Sequence, residues 1–548
     1  MNTMLGRWLL FAFCLADAAL LLLCGWLVPI HICAVDVAVI QRAGEGTPSL
    51  VDHGLELAQI GRPAAAALLL QAAKSQNLPG LEKLSQAANF PSAPALALNP
   101  IHNLLNHGPA GPGSTNGYSQ FIVDSVIRLE NRDRVAAFLE AAPSPAVKQL
   151  MRCRQLTNTV LFPPSISPSG QAFDAALSVC GLLLEEDALA AGLRQDLLDR
   201  AAAANRGGNT EPLEQFLMDM MSLGQRLNWD QLTVFVRRIE GARTLEQLAA
   251  QTRDAGTKMP LLYAGVELSQ QPAAVAAYLD NFSRSGLDDL GTGLRFGSGA
   301  LDELFQRNQR ICASDLRDRT LACLPAGFFF RAATNFALRL PWIAVTVKWF
   351  LYLAGGFLIA VALYVARMAP ALGEPLRMRG FNVCREMLFA LGFLVVVLLL
   401  SEPFLAQGSQ KAEFPLRLRL PGLASAAAIA TPGAKMKPMN APSLLTMLLF
   451  FVLQSLIYSV CLAKLAEIRR QKLPAQLRLK LLENEDHLFD AGLYLGFCGT
   501  IVSLVLHMMD ITQFSLMAGY SSTAFGIIFV CIFKIFHLRP YRRQLIME

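Results

Sequence analysis

Six stretches of this chain are long and apolar enough to cross a membrane. They cover residues 8–30, 340–365, 387–405, 444–465, 491–509 and 514–536. A helix needs about 20 mainly apolar residues to cross about 30 Å of hydrocarbon. The sequence therefore predicts an all-α protein with six membrane-spanning helices.

The overall composition indicates that part of the chain lies in lipid and part in water. A mean hydropathy of +0.38 with 16% charged residues is too apolar for an ordinary soluble enzyme and too polar for a chain buried in lipid throughout. Residues between the first two stretches have a soluble composition, with apolar residues at helical spacing and breaks at Gly and Pro. We expect an N-terminal membrane anchor, a large helical extracytoplasmic domain, the second and third spans, an outer loop, and the last three spans, at 1–30, 31–339, 340–405, 406–443 and 444–548.

Three alanine-rich segments of the large domain each resemble the start of a helix. They begin at Arg62, Asp133 and Gln271, and each places alanines on one side with a bulky residue closing the turn. The repetition favours stacked helical hairpins.

Lysine and arginine in the short loops predict the orientation of the chain. Most of them precede the first stretch, lie between stretches two and three and between four and five, or follow the sixth, whereas fewer lie in 406–443. The positive-inside rule then places both termini in the cytoplasm and the large domain outside. The first stretch is interpreted as a retained anchor, with a cleaved signal peptide as the alternative.

Ionisable residues in or beside the spans have two interpretations. Asp17, near the middle of the first stretch, is a candidate intramembrane acid, because a carboxylate in hydrocarbon is costly unless it has a role. The alternative for Asp17 is a protonated acid bonded to a neighbouring helix. Lys348 and Lys534 are expected to extend to the two membrane surfaces, and Glu402 is expected to end the third span.

Small and hydroxyl residues form matching stripes in the last two stretches. In the fifth they are Gly496, Thr500, Ser503, His507 and Asp510. In the sixth they are Ser515, Gly519, Ser522 and Gly526, with Thr523 beside them. Steps of three and four place each set on one helix face. A reversal near residue 512 puts Thr500 and Thr523 at nearly the same depth, since both lie roughly a dozen residues from the turn at about 1.5 Å per residue.

Two short runs in these stretches resemble the MotA/TolQ/ExbB proton-channel family. Gly496–Ser503 (GFCGTIVS), which includes Gly499, is similar to the glycine-glycine-threonine motif of that family's penultimate span. Ser522–Ile527 (STAFGI) is similar to the threonine-alanine-x-glycine motif of its last span. The chain departs from the family at Ala518, where an acidic residue is common, and at Ser503, where glycine is usual.

The resemblance implies a function and a partner. Thr500 and Thr523 would line an ion path together with Ser503, Ser522 and His507, while the glycines allow close packing. The proton-carrying aspartate would come from a small single-span membrane protein of the ExbD/TolR/MotB kind, enclosed by a homo-oligomer, by resemblance a pentamer. The setting would be a bacterial inner membrane, with the periplasmic domain contacting envelope proteins and no role for nucleic acid.

Other interpretations stay open at this point. Small-residue stripes also serve packing alone, which favours a membrane-anchored envelope scaffold or sensor without ion conduction. His507 and Asp510 could form half a metal site or the mouth of the path. No motif indicates an enzyme, a cofactor or a zinc site. In an oxidising compartment Cys312 and Cys323 are the nearest candidates for a disulfide, followed by Cys153 and Cys180.

Overall fold

Most of the chain that the structure describes is helical. The computed structural model describes residues 2–89, 121–127, 129–165, 167, 169–314, 317, 327–367, 380–403, 441–471, 474–508 and 516–547. Helix accounts for 82% of the structure and strand for 1%, which confirms the predicted all-α class.

The chain separates into two compact units. One, the membrane unit, comprises Met1–Val39 and Cys312–Glu548; the other, the helical unit, comprises Ile40–Ile311. The helical unit is therefore narrower than the expected domain 31–339, since residues on either side of it group with the apolar helices.

The first elements are the N-terminal helix and a short strand, α1 (Asn2–Leu27) and β1 (Ala34–Asp36). The helical unit then contains α2 (Val37–Gly44, which begins before the unit boundary), α3 (Leu50–Gln59), α4 (Pro63–Ser75), α5 (Leu81–Asn89), α6 (Ile122–Ile127), α7 (Leu129–Ala141), α8 (Pro145–Met151), α9 (Gln171–Glu185), α10 (Ala191–Asn205), α11 (Glu211–Gly224), α12 (Trp229–Arg238), α13 (Ala242–Ala255), α14 (Met259–Ser269), α15 (Pro272–Leu294) and α16 (Ser298–Arg307). Strand β2 (Arg310–Cys312) closes this part of the chain.

The second half of the membrane unit contains both long and short helices. They are α17 (Gly327–Arg339), α18 (Pro341–Arg367), α19 (Gly380–Ser401), α20 (Ala441–Arg470), α21 (Ala475–Asn484), α22 (Asp486–Phe489), α23 (Ala491–Met508) and α24 (Leu516–Phe533), followed by a π-helical turn (Lys534–Leu538) and α25 (Arg539–Met547). Within the described ranges, four helices are long and apolar enough to cross a membrane, at Trp8–Leu27, Pro341–Ala366, Thr446–Arg470 and Tyr520–Met547. The third and fifth predicted stretches form α19 and α23. The expected outer loop 406–443 lies mostly outside the described residues.

Neighbouring apolar helices pack in a chain of pairs. Helix α1 packs along α18, α18 on α19, α19 on α20, α20 on α24, and α24 on α23. Glycines allow the first contact: a Cβ at Gly25 would lie 2.8 Å from the Tyr352 ring, and one at Gly355 would lie 2.9 Å from the Leu22 side chain. Small residues at such crossings are the usual means by which membrane helices approach closely.

A second apolar cluster, the terminal cap, joins the end of α20 to α21, α22 and α25. Its buried members include Leu465, Leu482, Phe489, Tyr541 and Leu545. The sequence analysis did not predict this cap, because α21 and α25 are too short and polar to resemble spans.

Local sequence signals explain where helices of the helical unit begin. Ser49 with Asp52 and Asn228 with Gln231 form capping boxes at α3 and α12. Helices α4 and α15 begin at proline, as predicted for the segments at Arg62 and Gln271. The third similar segment, at Asp133, lies inside α7 and does not begin a helix.

A buried carboxylate anchors one loop of the helical unit. Glu214 of α11 accepts hydrogen bonds from the backbone N–H groups of Val160, Leu161 and Phe162, at 2.9, 2.5 and 2.8 Å. Burial alone would raise the pKa of Glu214, but these donors and Thr210 outweigh it and hold the pKa below its ordinary value of 4.5. The charged carboxylate is therefore the form that the folded loop stabilises.

We expect Glu214→Gln to lower the stability of the chain at neutral pH and to flatten its decline in acid. A lowered folded-state pKa contributes stability that is present above the ordinary value and lost as the pH falls through the folded value. Thermal unfolding of the full chain across this pH range measures the effect. Glu211→Gln, at an exposed position of the same helix, is the control; parallel pH profiles for Glu214→Gln and wild type would contradict the assignment.

Candidate functional site

The two threonines singled out by sequence meet across the last pair of apolar helices. Thr500 Oγ1 of α23 lies 2.6 Å from Thr523 Oγ1 of α24. Each hydroxyl also lies 3.2 Å from the backbone oxygen of Gly496. Since each hydroxyl has one hydrogen to donate, one donates to its partner and the other to the carbonyl. Two hydroxyls and one backbone oxygen therefore form a hydrogen-bonded triangle between the helices.

Glycines make this approach possible. A Cβ at Gly526 would lie 2.6 Å from the backbone oxygen of Gly492, and one at Gly496 would lie 2.8 Å from that of Ser522. A Cβ at Gly499 would overlap the Ser522 hydroxyl. These positions therefore exclude any larger residue unless the backbones separate. Gly519 lies in α24, at a position where the structure describes the backbone but not the packing.

A third helix adds an amide to the same interface. Gln454 of α20 is 1% exposed, and its Nε2 donates to the backbone oxygen of Gly492 at 3.0 Å. Gln454 Oε1 and Ser522 Oγ are buried, and neither has a hydrogen-bond partner in the described parts of the chain. A small pocket borders Gln454, with Tyr458 among its lining residues. We call the side chains of Thr500, Thr523, Ser522 and Gln454 the polar track. Within the described residues, Ser522 Oγ and Gln454 Oε1 of this track retain unused hydrogen-bonding capacity.

An ion pair lies toward the N-terminal end of α23. Lys534 Nζ lies 2.7 Å from Asp490 Oδ1, and Lys534 begins the π-helical turn. Lys534 was expected to extend to the membrane surface; its side chain is 37% exposed and is paired with Asp490. Ten residues separate Asp490 from Thr500, so the ion pair and the hydroxyl pair are about 15 Å apart along α23.

Among the other predicted site residues, the structure describes Ser503, Asp17 and Cys312. Ser503 is half-buried on α23, one turn beyond Thr500, and the His507 side chain is outside the described residues. Asp17 is half-buried on α1, which packs against α18. Cys312 is a free thiol, while Cys323, its proposed partner, is outside the described residues.

Neither the second cysteine pair nor a metal site is formed in the parts of the chain that can be described. Cys153 and Cys180 are buried free thiols. No group of three or more His, Cys, Asp or Glu side chains is arranged to hold a metal within the described ranges.

The structure reveals a second group of polar residues that the sequence analysis did not assemble. We call it the charge cluster, and its members are His31, Asp36, Arg317, Lys348 and Glu402, all in the membrane unit. Each lies near the end of an apolar helix or in the segment next to one. In the sequence, the one sign of this cluster is that its members lie near the ends of predicted spans. Nothing in the sequence shows that they converge.

Lys348 points into the protein and does not extend to the surface. It is 2% exposed; its Nζ donates to the backbone oxygen of Ile30 at 2.5 Å and lies 3.9 Å from Glu402 Oε1. Glu402, expected simply to end the third span, is also buried and accepts a hydrogen bond from the Ile32 N–H at 2.8 Å. These contacts tie the segment that follows α1 to α18 and to the end of α19.

Asp36 is held by a fork of charged hydrogen bonds. Both terminal nitrogens of Arg317 donate to its carboxylate, one of them at 2.7 Å, and the Ala38 N–H donates to Oδ1 at 2.9 Å. Burial alone would raise the pKa of Asp36, but its interactions with His31 and Arg317 outweigh that effect and hold the pKa below its ordinary value. Asp36 is therefore a charged member of the cluster.

We expect Gly526→Ala to destabilise the membrane unit by about 1–3 kcal/mol, the usual cost of overpacking. The added methyl group would press on the backbone oxygen of Gly492, and a backbone atom cannot rotate away as a side chain can. Thermal unfolding of the full chain in detergent measures this. Ala524→Leu, which adds bulk on the exposed side of α24, is the control; equal effects for the two variants would argue against tight packing at Gly526.

We expect Lys348→Met to cost about 3 kcal/mol, because it leaves the buried Glu402 without its cationic neighbour. Adding Glu402→Gln should recover most of this loss. A double-mutant cycle on unfolding of the full chain measures the coupling, with exposed Lys480→Met as the control. Strictly additive losses would mean that the two side chains do not stabilise each other.

Comparison of the chain with protein-family models, characterised proteins and solved structures finds no match. The resemblance to the MotA/TolQ/ExbB family therefore rests on the two short motifs, and the geometry of the polar track and of the charge cluster is the basis for a functional proposal.

Proposed function

We propose that this chain is the channel-forming subunit of a motor or energy-transducing complex in a bacterial inner membrane, driven by the ion-motive force. The observation that carries the proposal is the 2.6 Å contact between the hydroxyls of Thr500 and Thr523 across α23 and α24. The two family-like motifs give a reason to interpret this contact as part of an ion path.

The polar track has the chemistry of a path lining. Hydroxyl and amide groups both donate and accept hydrogen bonds, so they can stabilise a passing proton or a water molecule without holding a permanent charge. The unpartnered oxygens of Ser522 and Gln454 provide further acceptors beside the threonine pair. Thr523 and Ser503 are half-buried, so this face is not fully covered by the chain itself.

The track needs a titratable group from elsewhere. Its own side chains are hydroxyls and an amide, which do not take up and release protons near neutral pH. On this proposal the carboxylate comes from a small single-span partner with a membrane aspartate, enclosed by several copies of this chain. Moving one charge through about 100 mV supplies about 2.3 kcal/mol of free energy. On this proposal the helical unit transmits that work to, or receives it from, envelope components on the periplasmic side.

One observation favours a second candidate function. Both threonine hydroxyls also lie within hydrogen-bonding distance of the Gly496 oxygen, as expected where hydroxyls serve only to join helices. On that alternative the chain is an envelope scaffold or sensor, with its spans providing anchorage and the helical unit binding other proteins.

Replacing Thr500 and Thr523 together by Val separates the two candidates. The channel proposal predicts that proton flux falls about tenfold in vesicles from cells that also express the neighbouring genes, because one lost hydrogen bond of about 1.4 kcal/mol in the barrier to transit slows it by that factor. Thr346→Val is the matched control, since this exposed threonine bonds only its own helix, at Trp342.

Assembly must be measured on the same samples. Native mass spectrometry of the complex in mild detergent gives the copy number of this chain and reveals any small single-span partner. Unchanged flux in the double variant with assembly intact would overturn the channel proposal, as would a purified homo-oligomer without a partner.

A further inference from the structure

His31 is held between two carboxylates of the charge cluster. Its Nε2 lies 3.7 Å from Asp36 Oδ2, and its Nδ1 lies 3.7 Å from Glu402 Oε2. Both ring nitrogens are buried, and in the described parts of the chain neither makes a hydrogen bond. The imidazole therefore faces an acidic side chain on each edge.

A neutral His31 ring cannot donate a hydrogen bond to both of the ionised carboxylates that it faces. A neutral imidazole has one N–H donor and one nitrogen lone pair. It can meet one carboxylate favourably, but its other nitrogen then faces a second anionic oxygen with no hydrogen between them. An imidazolium has a donor on both edges. One proton must therefore lie on the His31 ring or on one of the two carboxyl groups.

The two carboxyl groups differ in the number of hydrogen bonds that they accept. Asp36 is engaged by the Arg317 fork and by the Ala38 N–H. Glu402 accepts one hydrogen bond, from Ile32, at Oε2, whereas its buried Oε1 has no hydrogen-bond partner within the described residues. Glu402 Oε1 is therefore the carboxyl oxygen on which an additional proton is placed.

The thiols near the cluster do not compete for that proton. The charged neighbours are Asp36, Arg317 and Lys348, and the nearby thiols are Cys33 and Cys312. Burial and the negative charge of Glu402 raise the pKa of the Cys33 thiol to about 11. Burial and the charge of Asp36 also raise the pKa of Cys312. Both thiols are therefore protonated and neutral at neutral pH.

We propose that His31 and Glu402 form a proton-binding site at the end of the first apolar helices, separate from the polar track. In one state the proton is on Nδ1, and the imidazolium bridges two carboxylates. In the other the N–H bond breaks, its electron pair stays on nitrogen, and an O–H bond forms on Glu402, so that a positive and a negative group become two neutral ones. The His31 side chain is 13% exposed, although both of its ring nitrogens are buried.

Infrared difference spectroscopy of the full chain in lipid vesicles tests the site without relying on transport. Each sample is compared at successive pH values, with histidine rings isotopically labelled. As the pH falls, the site takes up one proton from solvent, which is shared between the His31 ring and Glu402. In wild type, the labelled ring bands and a buried carboxyl band should therefore change with a common midpoint. This measurement needs no variant and so does not depend on whether a variant folds.

Substitutions then assign the bands. In His31→Asn the proton should remain on Glu402, so a protonated-carboxyl band should strengthen, and adding Glu402→Gln should remove it. His487→Asn, at an exposed histidine of α22, should leave the carboxyl region unchanged. Ring and carboxyl bands that titrate independently in wild type, or a carboxyl region unaffected by folded His31→Asn, would overturn the proposal. Neither result would bear on the flux experiment with Thr500 and Thr523.

Discussion

A polar group inside hydrocarbon must find its partner within the protein, because lipid tails offer no hydrogen bonds. Both polar regions of the membrane unit follow from this constraint. Thr500 and Thr523 meet each other and the Gly496 oxygen, while Lys348 meets the Ile30 oxygen and Glu402. In the first case the result is a line of neutral groups that retain spare acceptors. In the second it is a set of buried charged side chains around one histidine.

The threonine contact could be predicted because its geometry depends on local features of the chain. Helical periodicity assigns Thr500 and Thr523 to one face each, and a reversal near residue 512 sets their depth. The glycines at 496, 499 and 526 then indicate that the two faces can touch. The all-α class followed equally from apolar length and helical spacing, and the starts of α4 and α15 followed from their prolines.

The charge cluster could not be predicted in the same way. Its members come from segments far apart in sequence: His31 and Asp36 after α1, Arg317 before α17, Lys348 on α18 and Glu402 after α19. A lysine near a span end has a stem long enough to reach either the surface or the protein interior. The choice at Lys348 depends on the Ile30 oxygen and on Glu402, which only the packing of α1, α18 and α19 brings within reach. The same holds for Gln454, whose acceptor, the Gly492 oxygen, lies on another helix and is brought within reach by packing.

The last span does not end where its apolar sequence ends. Helix α24 continues through the π-helical turn into α25, so Leu516–Met547 forms an unbroken helical rod about 48 Å long. One end of this rod carries Thr523, and the other is embedded through Tyr541 and Leu545 in the terminal cap. Because the helix is continuous, a tilt imposed on the terminal cap would displace the end that carries Thr523. The π turn at Lys534 lies between these two ends, and Lys534 pairs there with Asp490.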